Sequence, residues 1–103
     1  MAHEPRLTTA LRELLAAQRV ASLGTLGDDG APFVSMVPFA VDVQDRSLVI
    51  HISGLAAHTR NLQRTPRASL LVCQAEVAGE PVHALPRVTL DVQAREADDT
   101  ADA

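Results

Sequence analysis

Residues 47–73 read Ser47-Leu48-Val49-Ile50-His51-Ile52-Ser53-Gly54-Leu55-Ala56-Ala57-His58-Thr59-Arg60-Asn61-Leu62-Gln63-Arg64-Thr65-Pro66-Arg67-Ala68-Ser69-Leu70-Leu71-Val72-Cys73, and the changes of period within them decide the fold. Ser47 to Ile52 is a nearly all-apolar strand. It runs through Ser53-Gly54 into a helix that reaches about Thr65 and stops before Pro66, whose ring disfavours helical geometry in the residue ahead of it. Arg67 to Cys73 is an apolar strand again. A strand that passes straight into a helix aims the helix's free N–H groups, and the positive end of its dipole, at whatever lies above the sheet. Ser53 is the expected N-cap. His58, Arg60 and Arg64 add donors that suit an anion, since the arginine fork matches phosphate oxygens. On local chemistry alone, the reading that these arginines form only a solvated helix face stands slightly ahead.

Working outward, Leu7, Ala10, Leu11, Leu14 and Leu15 form one stripe, so residues 6–18 are expected as a helix, with Pro5 suited to its first turn. Val20 to Leu26 is a strand, Gly27-Asp28-Asp29-Gly30 a hairpin turn, and Phe33 to Val43 a second, long strand. Pro38 cannot donate a ladder hydrogen bond, so that strand must lie at an edge or carry a bulge there. After a loop over residues 74–85, Val88 to Ala94 alternates as a fifth strand with one wet face. Residues 96–103 are acidic without large apolar groups and are expected to be disordered. Residues 1–95 then make a single domain of five mostly antiparallel strands and two helices, a β-rich α+β domain or a mainly β small barrel. Five strands close a barrel poorly, so a further strand or a second subunit is expected on the open side.

Composition narrows the function. The chain has 103 residues, 47% of them hydrophobic, enough for one compact core. Its net charge of -4 and its aromatic content of 2% offer neither a positive field nor stacking platforms, so nucleic acid is not an expected partner. No stretch is long and apolar enough for a membrane span, and the N-terminus lacks a signal-like pattern, which makes a cytoplasmic location the expectation. Cys73, the only cysteine, sits in an apolar run and is expected as a buried thiol.

His51 and His58 do not form a metal-binding helical pair and no cysteine lies near them, so zinc is not expected. His83, in the loop, is most simply a surface residue, although an exposed histidine could ligate a haem iron. Gly-x-Ser-x-Gly, P-loop and Gly-x-Gly-x-x-Gly patterns are absent, and no nucleophile has an evident adjacent base. Any chemistry must come from a cofactor.

The strings Arg19-Val20-Ala21-Ser22-Leu23-Gly24-Thr25-Leu26, Asp29-Gly30-Ala31-Pro32, His58-Thr59-Arg60-Asn61-Leu62 and Pro66-Arg67-Ala68-Ser69-Leu70-Leu71-Val72, in that order, resemble the pyridoxamine 5'-phosphate oxidase-like FMN-binding split barrels. Among them the likeness is to the haem-utilisation (HugZ-like) branch, over about residues 7–95. The resemblance implies a homodimer with FMN at the subunit interface. It places Ser35, Met36, Val37 and Pro38 along the cofactor, His51, Ile52 and Ser53 at the end of the third strand, and Thr59, Arg60 and Asn61 at the helix start. His58 falls where the oxidases carry a phosphate-binding lysine, and Arg87 near a further flavin contact. Ser35 and Ala40 stand where the oxidases have basic residues, so oxidation of pyridoxamine phosphate itself is not expected. Relatives continue into a further helix and closing strand, so the barrel is expected to be shortened at its C-terminus.

The leading expectation is an FMN-binding flavoprotein, an oxidoreductase in which His58 and Arg60 hold the phosphate while Ser35 and Ser53 bond the flavin. Haem binding or haem breakdown on the same scaffold is the alternative. A dimeric, non-catalytic barrel without cofactor is the third.

Overall fold

The computed structural model describes residues 6–97. A helix α1 (Arg6–Ala17) precedes strands β1 (Val20–Leu26), β2 (Pro32–Asp42) and β3 (Ser47–Ile50). Helix α2 (Ala57–Arg64), strand β4 (Arg67–Cys73), a 3-10 turn (Val82–Ala84) and strand β5 (Arg87–Gln93) follow. All strand pairs are antiparallel, in the order β3-β2-β1-β4-β5. The fold is mainly β, a five-stranded curled half-barrel with two helices, as the split-barrel resemblance implies. No helix among the described residues is long and apolar enough to cross a membrane.

The β1–β2 hairpin forms where its turn chemistry requires. Gly30 takes φ 81, which favours glycine, while Asp29 Oδ1 accepts the Ala31 N–H at 2.9 Å. Period-2 alternation then sends Ala21, Leu23, Val37, Phe39, Ala68, Leu70 and Val72 to one buried face. Leu14 from α1 completes that cluster and Leu62 from α2 packs against it, so the core lies between the inner face of the sheet and the two helices.

Pro38 explains where β3 ends. Opposite Val20 it occupies a non-hydrogen-bonded pair, since the Phe39 N–H donates to Arg19 O at 2.9 Å, so its ring nitrogen faces the β3 side. The β2–β3 ladder begins at Phe39↔Ile50, and one more pair would need the N–H that proline lacks. No bulge is required, because Pro38 sits where β2 is locally an edge. His51 and Ile52, expected in the strand, therefore lie in the loop that follows.

The helix start differs as well. It is Ala56, with φ -73 and ψ 151 and no side-chain cap, that precedes α2, not Ser53. Ser53 instead organises the loop: its Oγ accepts the Leu55 N–H at 3.2 Å and its carbonyl accepts the Thr59 hydroxyl. Cys73, expected to be buried, is exposed because β4 ends there on its outward position. Glu96 and Ala97 are exposed and irregular, and the rest of the expected acidic tail lies outside the described residues. The sheet curls far enough that Arg95, just beyond edge strand β5, pairs with Asp45 in the turn before the other edge, β3.

Candidate functional site

Helix α2 distributes the expected site residues over different faces. One face meets the inner side of the sheet. There Ser35 Oγ lies 2.7 Å from His58 Nδ1, and the buried His58 Nε2 has no hydrogen-bond partner among the described residues. Deeper in, buried Asn61 donates from Nδ2 to Thr25 Oγ1 at 3.0 Å, which anchors the helix to β1. The absence of a nucleophile beside a base, as read along the chain, is corrected here. Strand β2 and helix α2 bring a hydroxyl and an imidazole together across 23 positions.

A second face, formed by Ala57, Arg60, Asn61 and Arg64 at helical spacing, turns toward the β1–β2 hairpin. With Gly27, Asp28, Asp29 and Phe33 it lines a groove of about 280 Å³. Arg60 Nη1 donates to Leu55 O at 2.8 Å, so its guanidinium is held on this side and away from Ser35 and His58. Thr59 is committed to Ser53 O. The amides of Thr59 and Arg60 both reach back to Ala56 O, at 3.2 and 3.3 Å.

The remaining expected residues also separate. Val37 is core, while Met36 (74% exposed) and Val34 (68% exposed) point from β2 to the outer face of the sheet. Cross-strand partners share a face, so Val20, Pro38 and Leu71 lie there too, around the small residues Ser22 and Gly24. His51 and Ser53 are exposed in the loop, where Ile52 packs against the core. Arg87 binds the 3-10 turn, its Nη1 donating to His83 O at 3.2 Å and Leu85 O at 3.3 Å. The structure thus joins Ser35 with His58, sets Asn61 behind them, and turns Arg60 to another face. Thr25, Asp28 and Phe33 were not among the expected site residues, and Arg64, expected as an anion donor, lies on the hairpin side. Period-2 alternation already turns Thr25 inward, and the 57/60/61/64 helical spacing links Arg64 to the hairpin.

Known proteins share this architecture. A Vibrio cholerae protein named heme oxygenase HutZ is 33% identical over 89 residues, covering 86% of this chain; the match takes in 49% of the relative, so the chain spans about half its length. The solved heme binding protein from Mycobacterium smegmatis superposes with TM-score 0.80 at 32% identity, over 99% of this chain and 42% of that one. The solved HutZ of Vibrio cholerae, described as a heme storage protein, gives TM-score 0.76 at 25% identity, over 95% of this chain and 70% of that one. The family model described as pyridoxamine 5'-phosphate oxidase matches residues 7–103, and the chain belongs to that family.

Proposed function

We propose that this chain is one half of a homodimer that holds haem against the outer face of its sheet. The observation that carries the reading is that face. Val20, Val34, Met36, Val49 and Leu71 are exposed, and those of β1, β2 and β4 surround the small Ser22 and Gly24. A water-facing apolar surface of this kind is what a macrocycle or a second subunit covers. The haem-named relatives support haem as that cofactor.

The residues present fit haem in two respects. The apolar outer face suits the macrocycle, and the exposed His83 and His51 carry imidazole nitrogens that could hold an iron, His83 being the candidate ligand. When bound, haem supplies an iron centre able to bind small ligands or exchange electrons. The chain's own part would be to shield the ring from water with the apolar face and to hold the iron through a histidine.

FMN is the second reading, favoured by one feature: the unpartnered His58 Nε2 on a helix whose N-terminus lacks a side-chain cap. In that reading Ser35 orients His58 toward the phosphate. Arg60, turned to the hairpin side, takes no part, which weakens the expected phosphate grip.

Parallel titrations of the purified protein separate these readings. Haem addition is expected to give a Soret shift that weakens at least about tenfold in His83→Ala, and a Kd looser than about 10 μM, roughly 7 kcal/mol, overturns the haem reading. Quenching of FMN fluorescence that is lost in His58→Ala but kept in Arg60→Ala establishes the second reading instead. A dimer by light scattering that binds neither cofactor leaves the non-catalytic barrel.

A further inference from the structure

We infer that the groove between the β1–β2 turn and α2 binds a small zwitterion carrying an apolar substituent, the chemistry of a free amino acid. The inference is independent of the haem or flavin reading. One wall of the groove presents Arg60 and Arg64, the other Asp28 and Asp29. The side chains of Asp28 and Arg64 make no hydrogen bond or ion pair with any described residue, and the Arg60 guanidinium engages only Leu55 O, through Nη1. No ion pair joins the basic wall to the acidic wall among the described residues. Two opposed pairs of charges therefore face each other across open space.

The sequence bears local costs to build this. Two arginines at i, i+4 repel along a helix that also lacks a side-chain cap, costs that the last-turn place of Arg64 and the Arg60–Leu55 bond offset only in part. Local rules broken together at one place are the mark of a site. The charges select the occupant by elimination. A plain anion must sit against the two aspartates, and a plain cation against the two arginines. A molecule with both charges satisfies both walls at once: its carboxylate takes the free guanidinium N–H groups, and its ammonium takes the Asp28 carboxylate. Phe33, 40% exposed on the lining, receives the apolar part. At about 280 Å³ the groove lies just below the size of pockets that take drug-sized ligands, so the ligand is small.

The test is an amide chemical-shift titration of the full chain with L-phenylalanine, 3-phenylpropionate, phenethylamine and glycine as probes. The expected result is saturable shifts at residues 27–33 and 57–64 with L-phenylalanine. The two single-charge probes and glycine should each bind at least about tenfold more weakly. Arg64→Gln and Asp28→Asn should each cost about tenfold in affinity, with Arg67→Gln as the unaffected control. All three substitutions are at exposed positions, and spectral dispersion reports whether each variant is folded. Absence of saturation up to about 10 mM overturns the proposal. So does phenylpropionate binding as well as phenylalanine, which would make the groove an anion site. Stability coupling between Asp28→Asn and Arg64→Gln in the free protein also overturns it, because the two walls would then be neutralising each other.

Discussion

At the scale of single residues, α2 is tied to the sheet by two polar pairs. The Ser35–His58 pair lies at the edge of the core and leaves one imidazole nitrogen unpaired. The Asn61–Thr25 pair is buried, and its second partner for Thr25 is distant, Phe33 O at 3.5 Å. Removing the amide strands a buried hydroxyl, so Asn61→Ala should cost about 1–3 kcal/mol, read as a lower urea midpoint at unchanged m-value. Adding Thr25→Val removes the stranded group, and the double variant should be more stable than the sum of the two single costs predicts. Neither pair was legible as a pair. The sequence displays a serine, a threonine, a histidine and an asparagine, but only the register of β1 and β2 and the rotation of α2 determine which of them meet.

At the scale of elements, nearly every strand and helix was legible because each carries a period and a stop. The 57–64 helix ends before Pro66, the β1–β2 turn forms at Asp29-Gly30, and β5 alternates. The departures lie at the two ends of the loop 51–56. The end of β3 is set by Pro38 on a neighbouring strand, a cause that local propensity does not contain. The start of α2 shifts to Ala56 because Ser53 uses its oxygens within the loop. Alanine is a poor N-cap, so Ala56→Ser should stabilise the protein by about 0.5–1 kcal/mol, measured as a raised urea midpoint. No gain would mean that the open helix end is already satisfied by other donors or acceptors.

At the scale of the whole molecule, the sheet is curled but not closed. Its edges, β3 and β5, are bridged by the Arg95–Asp45 ion pair, whose side chains are largely exposed. Such pairs contribute little, so Arg95→Gln should lower stability by less than about 1 kcal/mol, checked by urea denaturation. The outer face is a stronger lever. Met36→Asp places a charge on the exposed apolar surface without touching the core, so it should convert a dimer to a monomer in light scattering while the folded monomer's circular dichroism spectrum stays unchanged. A variant that remains dimeric would exclude this face as the interface.

By itself the sequence determined the element order, the hairpin and the family likeness, because turn residues, prolines and hydrophobic period act within a few positions of where they stand. Only the tertiary structure decided that His58 meets Ser35 while Arg60 turns to the hairpin, that Pro38 ends a strand other than its own, and that two arginines and two aspartates share one groove. The reason is that neighbours on a helix diverge by its rotation, and their partners lie on strands far off in the chain. The phosphate grip read from residues 51–67 was a statement about sequence adjacency. The fold distributes its residues over two faces of one helix.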